Sequence, residues 1–333
     1  VYFTGGAKEI AKANINLRIG ERVLLELGRF RAETFDELFE RTKALPWEVL
    51  IPRDAAFPVK GYSLNSKLFS VSDCQSITKK AIVENLRAAY RTETLPETGK
   101  EVIVEVGILK DWVTLALDPC GAGLSRRGYR TFNVAAPISE TLGAAIVLLS
   151  RYVPEQPFID PMCGSGTMPI EAAMIAGNRA PGLNRAFAAE EWPFLPENAF
   201  TLAREEARDA ATNPKVDILG SDIDAHSIDL CKKHAKKAGI MVNWAVRPVR
   251  ELASDKMGGV LVCNPPYGER MFKKSEAERL YREMRTAFDA LSGWRKSIIT
   301  AYPEFERVYG RRAEKRRKLS NGGMPCTLYQ YFR

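Results

Sequence analysis

The sequence predicts an α/β chain in two parts, an α+β module followed by a largely parallel, doubly wound sheet. Three observations predict it. Up to about residue 118, short strand-like and helix-like stretches mix and end in a hairpin pattern. From Pro137 onward, apolar strand runs alternate with amphipathic helices, and turns rich in glycine or proline stand at the carboxyl ends of those runs. With 333 residues, 45% hydrophobic and 27% charged, there is material for two domains with real cores.

The elements follow in order. The chain opens at Val1 in an apolar stretch without Met, from which a preceding strand is expected. Residues 23–27 read as a strand, and Phe35, Leu38 and Phe39 form a helical stripe that Pro46 ends. A helix is expected over 76–90, with Ile82, Leu86, Ala89 and Tyr90 apolar on one side and Lys80, Glu84, Arg87 and Arg91 on another. Alternation at Val102, Val104, Val106 and Ile108, then at Val113, Leu115 and Leu117 across Lys110-Asp111, is a β-hairpin. In the second part, 138–152 reads as an apolar helix ended by Pro154, 157–160 as a short buried strand, and 167–176 as a helix closed by Gly177. Residues 178–196 are irregular, and Trp192 and Phe194 there either close over a pocket or pack in a core. A strand over 216–220 precedes a helix from Ala225 that Asp224 caps and Gly239 stops, with Ile228, Cys231, Ala235 and Ala238 on its stripe. The strand 259–263, a helix carrying Leu280, Met284, Ala287, Phe288 and Leu291, the strand 297–301 and a hairpin over 319–332 about Asn321-Gly322 complete the pattern.

Composition excludes several classes of function. Apolar runs such as Ile146-Val147-Leu148-Leu149 fall far short of the ~20 residues of a membrane span, so a cytoplasmic protein without a membrane partner is expected. The cysteines, Cys74, Cys120, Cys163, Cys231, Cys263 and Cys326, lie far apart without a CxxC and suit a reducing compartment. Two histidines, His226 and His234, both in a Lys-rich helical segment, leave little for a metal cage, and no metal site is expected. Charge is uneven. Residues 230–333 hold 23 basic and 10 acidic side chains, whereas 151–229 hold 6 and 13. Such a basic last third suggests a polyanion, nucleic acid being the commonest, or else a solubilising surface.

Asp160-Pro161-Met162-Cys163-Gly164-Ser165-Gly166-Thr167 lies between a buried strand and a helix. Gly164 and Gly166 let the backbone turn sharply and approach a ligand, and the helix start offers free N–H groups. A triphosphate loop needs a Lys after its last Gly, but Thr167 and Met168 follow here. A dinucleotide fold needs a third Gly and an acid ~20 residues on, whereas the candidate acid is Asp222 of Gly220-Ser-Asp-Ile-Asp224. A nucleoside without phosphates fits better, with Asp222 accepting from the ribose hydroxyls and Asp224 capping the next helix. Asn264-Pro265-Pro266-Tyr267 ends the strand 259–263. Two prolines stiffen the turn, so that the Asn side chain and the proline carbonyls can accept from one exocyclic amine while Tyr267 stacks on its base.

These motifs, in this order, resemble the class I S-adenosylmethionine-dependent methyltransferases acting on exocyclic amines of nucleobases. Arg127-Gly-Tyr-Arg130, Ala136-Pro-Ile-Ser-Glu-Thr-Leu142, Ile170-Glu-Ala-Ala173, Arg179-Ala-Pro-Gly-Leu183, Glu191-Trp192 and Asn264-Pro-Pro-Tyr-Gly-Glu-Arg270 resemble more closely the THUMP-domain RlmL-like and YpsC-type family. Its members methylate N2 of a guanine in large-subunit (23S) ribosomal RNA and were often labelled N6-adenine DNA methylases. The resemblance implies a Rossmann-like class I methyltransferase domain over 133–333, preceded over 1–132 by an α+β THUMP/ferredoxin-like RNA-binding module. Within that module the ferredoxin-like tail covers about 1–50 and the THUMP core about 51–120. It implies S-adenosylmethionine as cofactor, held by Asp160, Pro161, Met162, Cys163, Gly164, Gly166, Thr167, Asp222, Ile223 and Asn264. Asn264, Pro265, Pro266 and Tyr267 would be the catalytic turn. One departure stands out: where such enzymes place an acid against adenine, Arg247-Pro-Val-Arg-Glu-Leu252 has Pro248, and either Glu251 substitutes or the contact is absent.

The candidate RNA contacts are Lys79 and Lys80 (with Arg87) on the small module, Arg127 and Arg130, and the cluster Arg311, Arg312, Lys315, Arg316, Arg317 and Lys318, opposed only by Glu314. Two other functions remain open on the sequence: adenine-N6 methylation of RNA or DNA, because the Asn-Pro-Pro-Tyr turn alone does not distinguish the amines, and a non-catalytic ribosome-assembly factor that binds RNA.

Overall fold

The computed structural model describes residues 1–130, 138–267 and 274–332. In chain order the elements are α1 (Ala7–Asn16), β1 (Leu25–Arg31), α2 (Phe35–Lys43), β2 (Val59–Leu64), α3 (Val71–Tyr90), β3 (Val104–Leu109), β4 (Trp112–Leu117), α4 (Glu140–Leu149), β5 (Phe158–Asp160), α5 (Thr167–Ala176) and α6 (Ala199–Asp209). They continue with β6 (Ile218–Asp222), α7 (Ala225–Ala238), β7 (Asn243–Val246), β8 (Gly259–Cys263), α8 (Lys274–Asp289), β9 (Trp294–Thr300), α9 (Phe305–Tyr309), β10 (Lys315–Asn321) and β11 (Met324–Tyr331). Two compact units result, one of residues 1–124 and 186–206, the other of 125–185 and 207–333.

The first unit is built on a four-stranded sheet in the order β1-β4-β3-β2, antiparallel except for the β2/β3 pair. The hairpin expected at Lys110-Asp111 is present, both residues having positive φ (52° and 64°), the backbone a two-residue hairpin turn demands. α3 begins a turn earlier than expected because its buried stripe runs through Cys74, Thr78, Ile82 and Leu86, while Ala89 is exposed. Residues 186–206, placed by the sequence with the second domain, group with this unit. Ala189 N–H donates to the Pro119 carbonyl (3.1 Å), the Trp192 indole to the Glu101 carbonyl (3.4 Å), and Lys100 pairs with Glu191 (2.9 Å). Trp192 is buried and stacks on Phe194, so of the two roles left open for it, core packing is the one observed.

The second unit holds a seven-stranded sheet, β10-β11-β9-β8-β5-β6-β7. From β9 to β7 the strands are parallel, and the β10–β11 hairpin adds antiparallel at the β9 edge. β8 is buried along its whole length. Its alternate residues Leu261 and Cys263 join the cluster containing Tyr281, Phe288 and Phe305, while Val260 and Val262 join the one containing Ile146, Phe158 and Met168. Helices therefore cover both faces, as a parallel sheet requires. The chain moves from β5 outward through β6 and β7, then crosses back to β8 and β9 on the other side of β5. That reversal opens a crevice at the carboxyl ends of β5 and β8, the usual ligand position in such sheets.

Candidate active site

The crevice is lined by the two motifs. Asp160 ends β5; Asn264 follows β8, its neighbour in the sheet. Gly164 and Gly166 both have positive φ (52° and 83°), and the Gly166 N–H closes a turn onto the Cys163 carbonyl (2.8 Å). A side chain at Gly166 would strike Trp244 and Cys231, so this glycine is also a packing requirement, whereas the space at Gly164 is open. Among the described residues the N–H groups of Ser165, Thr167 and Met168 have no protein partner. They are the unsatisfied donors of a helix start.

Asp222, at the end of β6, reaches the loop: Oδ2 accepts from the Gly164 N–H (2.9 Å) and Oδ1 from the Asp224 N–H (3.0 Å). Asp224 caps α7 through the His226 and Ser227 N–H groups (3.0 and 3.1 Å) and, by its geometry, faces the helix. Ile223 between them is 70% exposed. Asp160 is fully buried; Oδ1 accepts from the Met162 N–H (3.2 Å), Oδ2 has no partner among the described residues, and burial pushes the carboxyl well above its usual range. Such an orphaned buried oxygen awaits a donor. Pro248 precedes a single turn over Val249–Glu251, and Glu251 stands in solvent beside Arg250 (3.6 Å).

At the second motif, Asn264 Oδ1 is buried without a partner among the described residues. Pro265 is buried, and the Pro266 carbonyl lies 3.3 Å from the buried Tyr281 hydroxyl. Tyr267 is half-buried against the apolar cluster around Ile299 and Cys326; its hydroxyl lies 3.6 Å from Cys326 Sγ and is pushed up to about 12 by burial. One side of its ring is therefore committed to packing. Gly268, Glu269 and Arg270, like Ala136 and Pro137, lie outside the described residues.

The expected RNA contacts fare unequally. Arg127 is 1% exposed and pairs with Glu171 of α5 (2.8 Å), so it faces the core rather than solvent. Arg130 donates to Thr167 Oγ1 (2.5 Å) and the Ile138 carbonyl (2.8 Å). Lys79 is held by Glu97 (2.7 Å) and the Phe57 carbonyl (3.0 Å), with its ammonium 3.3 Å from the Phe57 ring centroid, while Lys80 is exposed. Lys315 to Lys318 lie in β10, where successive side chains point to opposite faces, so they do not form one ridge. Arg316 is bound to Glu306 (2.9 Å), and Arg311 lies near Asp289 and Glu314 (3.9 and 3.8 Å). Arg312, Lys315 and Lys318 have no ion-pair partner among the described residues. Missed by the sequence reading were Glu171, Tyr129 and His234, all buried around the loop. The Tyr129 hydroxyl donates to Glu171 (3.1 Å) and His234 Nδ1 meets the Ser165 carbonyl (3.1 Å). A lone Glu inside the apolar run of α5 was the available signal.

A family profile described as an RMKL-like methyltransferase domain matches residues 127–330, and a THUMP domain profile matches 32–118. A Bacillus subtilis (strain 168) protein named YpsC, provisionally described as an RNA methyltransferase, is 43% identical over all of this chain and 88% of its own length. A crystal structure from Listeria monocytogenes, titled as a predicted N6-adenine-specific DNA methylase, superposes with a TM-score of 0.92 at 47% identity, covering 98% of this chain and 86% of that one. Another, titled provisionally as a methyltransferase in complex with SAH, gives 0.91 at 42% identity, covering 98% and 88%.

Proposed function

Because the chain belongs to the RMKL-like methyltransferase family and carries a THUMP domain ahead of its methyltransferase domain, we propose that it methylates the exocyclic N2 of a guanine in large-subunit ribosomal RNA, with S-adenosylmethionine as donor. The observation that carries the chemistry is the buried, unpartnered Asn264 Oδ1 at the switch point, beside the glycine loop. An acceptor without a partner in that place suits an amine whose charge grows during reaction.

S-adenosylmethionine supplies an activated methyl on a sulfonium centre. The chain does the rest. The free N–H groups of the loop and the Asp222 carboxylate fit a ribose and its substituents, and Asp160 Oδ2 fits an ammonium donor. Asn264 Oδ1 and the Pro265 carbonyl hold the target amine, and the Pro266 carbonyl is left to Tyr281. The remaining face of Tyr267 takes the base, which must leave its stack to reach this depth. Lys80 and the free cations near β10 contact phosphate. Nucleoside mass spectrometry of 23S rRNA from cells with and without the gene tests this reading: loss of N2-methylguanine supports it, loss of N6-methyladenine replaces it with the adenine reading, and no change removes the enzyme from this RNA.

Replacing Asp222 by Ala is expected to weaken S-adenosylhomocysteine binding on the order of 10²-fold, since charge-assisted hydrogen bonds contribute roughly 1.5 to 3 kcal/mol each. Calorimetric titration with unchanged affinity would remove Asp222 from the site. For RNA, neutralising Arg312 and Lys315 together should lower the log–log salt slope by about 1.4 to 1.8, whereas Arg316→Ala, already paired with Glu306, should change it little. Equal slopes for the double variant and wild type would make those cations plain surface.

A further inference from the structure

The glycine loop is held from behind by one face of α7. Cys231 Sγ donates to the Gly164 carbonyl (3.0 Å) and His234 Nδ1 lies 3.1 Å from the Ser165 carbonyl. Both side chains are fully buried, and their spacing of three places them on the same side of the helix. A carbonyl only accepts, so His234 carries a proton on Nδ1, while Nε2 is buried without a partner among the described residues. The ring is neutral, and burial draws its pKa below the ordinary value.

We propose that Cys231 and His234 are positioning residues for the cofactor loop: by fixing two successive carbonyls toward α7 they aim the loop's amides at the ligand. The argument is one of peptide geometry. In a planar trans peptide the C=O and the following N–H point in opposite directions. Turning the Gly164 carbonyl to Cys231 therefore turns the Ser165 N–H away from α7, where it meets no acceptor among the described residues. Turning the Ser165 carbonyl to His234 likewise fixes the Gly166 N–H, which closes the turn onto Cys163. Gly164 is thus held at its N–H by Asp222 and at its carbonyl by Cys231. Trp244 packs close against Gly166, where a Cβ would lie only 2.8 Å from its ring. The loop thus reaches the ligand already ordered, and binding need not bear the entropy of arranging it.

The inference rests on S-adenosylmethionine occupying this loop. His234→Phe keeps a ring of similar size and deletes the donor; His234→Asn keeps a donor near the place of Nδ1 but loses the ring. A residue that merely fills space would lower the melting temperature in both variants and leave ligand affinity unsplit between them. A positioning residue gives a different pattern: S-adenosylhomocysteine affinity about tenfold weaker in His234→Phe and within about threefold of wild type in His234→Asn. Cys231→Ala should weaken it about threefold. In methyl transfer, KM for the cofactor should rise in His234→Phe while kcat at saturating cofactor and KM for RNA hold. Wild-type affinity in His234→Phe, or equal weakening in the Phe and Asn variants, overturns the positioning role with the cofactor site intact. Wild-type protein that binds no S-adenosylhomocysteine overturns the cofactor reading and this inference with it.

Discussion

Asn264→Ala is expected to lower the rate constant of methyl transfer by on the order of 10² to 10³, with S-adenosylhomocysteine and RNA affinities within a few fold of wild type. Guanine N2 is a poor nucleophile because its lone pair is delocalised into the ring. A positive charge develops on it only as the methyl arrives, so an acceptor aimed at the amine strengthens in the transition state more than in the bound substrate. In the proposed reading Asn264 Oδ1 is such an acceptor, being buried and without a donor among the described residues. The backbone around it is stiff, with Pro265 and Pro266 fixing φ and the Pro266 carbonyl within reach of Tyr281. Asp in the same place keeps an acceptor oxygen and should do less harm. Single-turnover transfer at saturating RNA and cofactor isolates this step from binding. Near-normal turnover of the Ala variant would leave the side chain holding the turn alone and pass its role to the Pro265 carbonyl.

What could be read in the sequence was what the backbone demands locally. Gly164 and Gly166 adopt the positive φ for which glycine is chosen, Asp224 and Gly239 begin and end α7 where expected, and the continuous apolar run 259–263 is the fully buried β8. Such features depend on a few neighbouring residues. α1, β2, α6, β7 and α9 were not foreseen. β2 alternates half-buried residues, Ser63 among them, with exposed ones that include Lys60, so no apolar run announces it, and its place is set by parallel pairing to β3 some forty residues away. The cationic cluster was visible as composition but misread as geometry, because a strand divides it between two faces. At the site the motifs were legible and their supports were not. Cys231 looked like one more apolar stripe residue, and His234 like a histidine of a Lys-rich helical segment. Only the packing of α7 against the loop gives them hydrogen-bonding partners.

The same separation between charge in sequence and charge in space governs Arg127. Arg127→Met is expected to destabilise the second unit by roughly 3 to 5 kcal/mol, the usual cost of leaving one partner of a buried ion pair alone. Arg127 and Glu171 are 1% and 0% exposed in their side chains and 2.8 Å apart, and without the guanidinium the buried Glu171 carboxylate loses that paired charge while keeping the Tyr129 hydroxyl. Removing both charges, as Arg127→Met with Glu171→Leu, takes away the buried carboxylate that has lost its ion pair and should leave the protein more stable than Arg127→Met alone, although Tyr129 then loses its acceptor. The midpoint of urea unfolding, followed through hydrogen exchange of the α5 and β8 amides, reads the second unit separately from the first. Phosphate contact by Arg127 makes the opposite forecast: stability near wild type and a salt slope for RNA binding smaller by about 0.7 to 0.9. That result would require the guanidinium to leave Glu171, and a double variant no more stable than Arg127→Met would likewise show that the pair is not what holds this part of the core.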